Sequence, residues 1–212
     1  MFDFDAETFR QTLLLIPPLL FALTVHELSH GWTAWKLGDP TAKERGRITL
    51  NPIAHLDLVG TLCILLTHFI GWAKPVPVDP RHFRNPVRGM AIVAAAGPAS
   101  NFLMAAASGF LLNKALSTGL LDALPRSVGE PLAMMAFIFF SLNLGLGLFN
   151  LLPFPPLDGF RVISVALPLK AVRFCERYSF VFFVALLALM WSKVLTGPIS
   201  SVIGRLQQLV LP

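Results

Sequence analysis

Between Gly89 and Asn113 the chain runs for 25 residues without one charged side chain. About 20 apolar residues in a helix, each rising roughly 1.5 Å, cross the hydrocarbon of a bilayer, so such a run constrains the chain to a membrane before anything else. Three further stretches are of the same kind. The 25 residues between Arg10 and Lys36 have His26, Glu27 and His30 as their only titratable members, and Pro131–Leu157 holds 27 uncharged residues ending at Asp158. Between Arg177 and Lys193 lie only 15, so that span must let Lys193 snorkel or run on past it. A fifth stretch, Leu58–Ala73, has 16 residues including His68 and is marginal.

Composition closes off the alternatives. The chain is 55% hydrophobic and 14% charged with mean hydropathy +0.67, against about 45–50% and about 25% in a soluble domain. That excludes a soluble globular fold, a disordered chain and a nucleic-acid reader, although the net charge of +5 would otherwise suggest the last. Cys63 and Cys175 make no pair motif and no disulfide framework. Asp3, Asp5 and Glu7 stand where a signal peptide would be basic, so no leader is expected.

The basic residues orient the spans. With Arg10–Lys36, Gly89–Asn113, Pro131–Leu157 and Arg177–Lys193 as crossings, twelve of the seventeen Lys and Arg fall in two loops, Lys36–Arg88 and Arg161–Arg177, on one side. The positive-inside rule makes that side cytoplasmic and both termini external. A full crossing by Leu58–Ala73 would destroy this asymmetry, so it is read as re-entrant or interfacial. Around it, Arg47–Asn51 and Lys74–Asp79 read as extended, because each proline biases its predecessor away from helix. The expected fold is an all-α polytopic membrane protein: one domain over residues 1–212, four full transmembrane helices, and a re-entrant or interfacial segment with short β-strands.

His26-Glu27-Leu28-Ser29-His30 carries the chemistry. Positions i and i+4 of a helix stack on one face, so both imidazoles can reach one ion about 2.0–2.1 Å from each nitrogen. Glu27 projects about 100° round the helix and can meet a water instead, which is the two-ligand-plus-base logic of His-Glu-x-x-His zinc hydrolases. An acidic residue at the centre of a membrane helix costs about 2.5–3.5 kcal/mol on insertion scales, which makes chance an inadequate explanation here. Catalytic zinc takes three protein ligands, and Asp158, His55, Asp57, His68, Asp79 and His82 are the candidates for the third. Asp158 stands out because it closes a charge-free span in which Pro153, Pro155 and Pro156 forbid continuous helix. Asp158 in water, at the end of a span or capping the next helix, is the plain alternative.

With these residues in view, the chain resembles the site-2 protease family of intramembrane zinc metalloproteases. His26, Glu27 and His30 match its His-Glu-x-x-His helix. Gly97 and Asn101 match its Gly-x-x-x-Asn pattern, and Asn150, Pro153, Leu157, Asp158 and Gly159 match its Asn-x-x-Pro-x-x-x-Leu-Asp-Gly segment. The resemblance implies Asp158 as the third ligand of one Zn2+ per chain. It also implies a membrane-associated β-element, after the first helix, that helps to hold substrate. Neither a PDZ-like nor a CBS segment is visible, and Asn51–Asp57 with the short apolar run resembles a compact subgroup of the family.

The implied reaction is hydrolysis of peptide bonds in transmembrane protein substrates, with Glu27 as the base. Asn150 and Asn101 are candidates for contacts to substrate or oxyanion, with interhelical bonding the alternative for each. His55 and Asp57 are either polar partners of the metal ligands or parts of an interfacial turn. His26 lies 16 residues from Arg10 and 10 from Lys36, which puts the ion roughly 24 Å from the outer end of the helix and 15 Å from the inner. The expected setting is the cytoplasmic membrane of a prokaryote, with lipid and a transmembrane substrate as partners and no nucleic acid. A zinc transporter and an inactive scaffold are the rival functions.

Overall fold

The computed structural model describes residues 6–57, 60 and 73–211. Most of the Leu58–Ala73 segment, with Cys63 and His68, lies outside the described residues, as do Asp3 and Asp5. Three helices among the described residues are long and apolar enough to cross a membrane. They fall within α1 (Ala6–Lys36), α3 (Pro86–Ser117) and α4 (Arg126–Asn150), so this is an all-helical membrane protein. The Asn85 side chain accepts the Arg88 N–H and Pro86 occupies the first turn, which fixes where α3 begins.

Helix α3 is the hub, packing against α1, α4 and the short α5 (Asp158–Ile163). Its buried face carries Ala94, Gly97, Asn101, Ala105 and Gly109 at intervals of three and four residues. In lipid there is little hydrophobic drive between helices, and small residues let backbones approach closely enough for dispersion and interhelical hydrogen bonds to hold them. Pro98, inside α3, removes the N–H that would bond the Ala94 carbonyl.

Two expectations change. The expected fourth crossing is not a straight helix: α7 (Ser179–Trp191) has 13 residues, about 20 Å against a hydrocarbon core of roughly 30 Å. It is bent by 73° from α6 (Leu169–Arg177). Beyond it, Lys193 turns the chain with φ 63°, and α8 (Thr196–Val210) follows. Helix α8 packs Ile203, Leu206 and Val210 on Ala105, Phe140 and Leu144, while the Asn113 amide donates to the Val210 carbonyl at 2.6 Å.

The short β-strands are the other change. Among the described residues the chain makes an isolated antiparallel bridge, Leu56 to Ala73, and no ladder. Thr41–Glu44 forms α2 and Pro52–His55 a single 3-10 turn. Prolines at 75, 77 and 80 keep the following segment out of helix, but they also deprive it of N–H donors for a ladder.

Candidate metal centre

His26 and His30 lie one turn apart on α1, both buried, with rings nearly perpendicular at 85° and centroids 4.6 Å apart. Asp158 reaches them as the first residue of α5. The chain leaves helix after Asn150 and, through an irregular stretch containing Pro153, Pro155 and Pro156, folds back so that Gly159 lies under the Leu151 carbonyl; a Cβ there would overlap it. Gly97 makes the matching space on α3, where a Cβ would overlap His30 Nε2 and stand 2.6 Å from His26 Cε1.

The donor atoms form a tight triangle. His26 Nε2 and His30 Nε2 are 3.0 Å apart, and Asp158 Oδ2 lies 3.2 Å from the first and 3.3 Å from the second. Ligand atoms around a tetrahedral ion with bonds of 2.0–2.1 Å are separated by about 3.3–3.4 Å, so the triangle has the size zinc requires. The far side of each ring strengthens the match. His26 Nδ1 bonds Asn101 Oδ1 at 2.6 Å and His30 Nδ1 bonds the Val93 carbonyl at 2.7 Å. Both partners are acceptors, so both Nδ1 atoms carry the proton and both Nε2 atoms keep their lone pairs. Two imidazole lone pairs and a carboxylate oxygen converging in a buried space repel one another unless a cation stands between them. Two histidines and a carboxylate are a catalytic zinc set.

Glu27 is not in the triangle. Its Oε2 accepts the Val76 N–H at 2.9 Å, from a strap, Ala73–His82, that is irregular up to a 3-10 turn at Pro80–His82 and is drawn across the site. Arg47 holds one end of the strap, donating to the Lys74 carbonyl at 2.6 Å and the Pro75 carbonyl at 3.2 Å. Asp39 holds the other, its side chain fully buried: Oδ2 accepts the Asp79 N–H at 2.7 Å, and Oδ1 accepts from Thr41 and lies 3.0 Å from His82 Nδ1. Burial alone would raise the Asp39 carboxyl, but hydrogen bonds from the Thr41 hydroxyl and the Asp79 and Thr41 amides outweigh it and hold the group below its ordinary value. Asp79 is likewise held low, by hydrogen bonds from Arg81.

In front of these groups opens a cavity of about 870 Å³, lined by His26, Glu27, His30 and Asp158 and walled by strap residues and by Phe183 and Leu186 of α7. Asn150 lines it too, its Nδ2 donating to the Leu146 carbonyl at 3.0 Å. Asn101 lies behind the donor triangle but is fully buried, bonded to His26 on one side and to Asn143 Oδ1, 2.8 Å away, on the other. His55 is buried in its turn with Nε2 on the Thr49 carbonyl, and Asp57 accepts the Gly60 N–H; those bonds do not lead to the triangle. Asp79 and His82 belong to the strap. Asn143, Arg47 and Asp39 carry no local mark of these roles in the sequence. An amide in the middle of an uncharged run is the available signal for Asn143; Arg47 and Asp39 read as loop charges.

Residues 14–190 match Peptidase family M50. A Bacillus subtilis protein named as a zinc metalloprotease, YwhC, is 44% identical over 176 residues, which cover 81% of this chain and 78% of that one. Rip2 of Mycolicibacterium smegmatis, also named as a zinc metalloprotease, is 31% identical over 72% of this chain and 56% of its own length. Its namesake in Mycobacterium tuberculosis is 30% identical over 87% and 69%. No solved structure matches the chain significantly.

Proposed function

The chain belongs to peptidase family M50, and on that premise we propose that this membrane metalloprotease is an intramembrane zinc endopeptidase of site-2 type, cutting within or beside the transmembrane segments of other membrane proteins. The observation that carries the proposal is a three-donor triangle buried among helices long enough to span a bilayer, with a carboxylate beside it and a cavity in front. His26, His30 and Asp158 would hold one zinc ion, which would supply the Lewis-acid chemistry that polarises a scissile carbonyl and acidifies water.

The chain's own residues do the rest. Glu27 takes a proton from the attacking water and delivers it to the leaving amine. Its Oε2 is fixed by the Val76 N–H, which keeps the carboxylate from swinging into the metal position and leaves the other oxygen for the proton. Asn150, on the cavity wall, is placed to meet the substrate backbone, and Asn101 acts behind His26. The largely apolar walls exclude bulk water and accept a hydrophobic segment, which must unwind locally because a helix shields its own carbonyls. The excess of basic residues in Lys36–Arg88 and Arg161–Arg177 supports a cytoplasmic position for both loops, external termini, and a cut in the cytoplasmic half of a prokaryotic cytoplasmic membrane.

Purified protein incubated with single-span substrates tests the proposal. Cleavage is expected with zinc and none with a chelator. Glu27→Gln should keep about one zinc per chain and lose activity by more than about 1,000-fold, in the range of general-base loss and beyond. Zinc transport into vesicles that is indifferent to Glu27→Gln, or loss of the metal with Glu27, overturns it.

A further inference from the structure

We infer that Asn143 is a positioning residue of the metal centre: through Asn101 it holds His26 in the one tautomer that can ligate. The inference rests on His26 being a ligand. The hydrogen-bond chain has one end that cannot reverse. The Phe139 carbonyl only accepts, so the Asn143 group 2.8 Å from it is the NH2. Asn143 therefore turns its oxygen to Asn101, which must donate across 2.8 Å. What Asn101 has left is Oδ1, 2.6 Å from His26 Nδ1, and an acceptor there keeps the proton on Nδ1 and the lone pair on Nε2, the atom in the triangle. The direction of every bond follows from one backbone carbonyl on α4.

Reversing Asn101 would undo this. An amide turned end for end keeps its shape, so packing does not forbid the flip; only the bond to Asn143 opposes it. An NH2 facing Nδ1 would drive the ring proton to Nε2, and a protonated nitrogen cannot bind a metal. Water offers no substitute, because Asn101 and Asn143 are both fully buried. His30 needs no such relay, since its Nδ1 bonds the Val93 carbonyl directly. One ligand is thus aimed by the backbone and the other by two amides spanning three helices.

The test compares Asn143→Ala with Asn143→Asp in the full chain in detergent, reading zinc dissociation constants by competition with a chromophoric chelator and thermal unfolding of the zinc-free proteins. Asn143→Ala should weaken zinc by about 10–100-fold, the usual effect of losing a partner behind a ligand. Asp at that position, charged or protonated, still offers Asn101 an acceptor, so Asn143→Asp should hold zinc within a few-fold of the parent even though its zinc-free form unfolds at a lower temperature. Parental affinity in Asn143→Ala, or equal losses in both variants, overturns the inference. His26→Ala separates the two readings: if it keeps zinc, the ligand assignment itself has failed. Should Asn143→Ala not fold, the ring 15N shifts of His26 in the unsubstituted zinc-free protein at pH 8 decide: a bare Nε2 is expected, and a protonated Nε2 overturns the inference.

Discussion

His26 and His30 sit a turn apart on one helix, and the groups that aim them, Asn101 and the Val93 carbonyl, sit on a second helix packed against it. Glu27 lies on that same first helix, yet its carboxylate is engaged from a largely irregular strap, tied down by Arg47 at one end and Asp39 at the other. The two imidazoles therefore take their precision from helix packing, where a shift of one residue moves many others. Glu27 takes its setting from a few long-range polar bonds that can be lost one at a time. Metal affinity and catalytic rate should accordingly respond to different substitutions.

The largest effect is expected where helix packing is tightest. Gly97→Ala puts a methyl group where His30 Nε2 and His26 Cε1 now lie, so either α3 or both rings must move. Zinc affinity by chelator competition should fall by about 100-fold or more, at or beyond the upper end for changes behind metal ligands, and activity with it. If Gly97→Ala binds zinc normally, the rigidity assigned to the packed helices is wrong.

Arg47→Ala sharpens the comparison from the other side. Freed carbonyls at Lys74 and Pro75 should let the strap, and the Val76 N–H, drift from Glu27. A drop of about 10–100-fold in kcat/KM is expected, with zinc content unchanged. Zinc loss in this variant would show that strap and ligands are a single unit.

The smallest effect concerns Asp39, at the far end of the strap. Its carboxyl is lower in the folded chain than its ordinary value, so its stabilisation is fully present above about pH 4, the unfolded range for Asp, and drains away as pH falls toward the folded value. Asp39→Asn should cost about 1–3 kcal/mol near pH 7, on the scale of unmet buried hydrogen bonds. The gap in Tm between parent and variant should close below about pH 4. A gap that stays constant with pH would mean that the charge on Asp39 contributes nothing.

What could be read from the sequence divides along the same line. The i, i+4 spacing of His26 and His30 is a local property of a helix, and the prolines before Asp158 announce a break wherever they occur, so the principal residues of the triangle were visible before folding. The strap was half visible. Its prolines excluded helix, but Arg47 meeting Lys74 and Asp39 meeting Asp79 depend on chain closure that no local pattern encodes. Hydropathy found the apolar run after Arg177 and could not see the 73° bend before it or the left-handed turn at Lys193. Asn143 escaped for a related reason: one amide in an apolar span reads the same whether it bonds its own helix or steers a histidine two helices away.

His30 and Asp158 lie 128 positions apart in the chain, and that separation gives the protein a timetable. Ribosomes add about 5–20 residues per second, so roughly 6–26 s pass between the emergence of His30 and of Asp158. Throughout that interval the first span can already be in the membrane with Glu27 and two imidazoles, beside every other newly inserted protein. Two imidazoles without the carboxylate make a weak, incomplete cage. A chain stalled or truncated before residue 158 would therefore leave an inert fragment in the membrane rather than an unregulated protease.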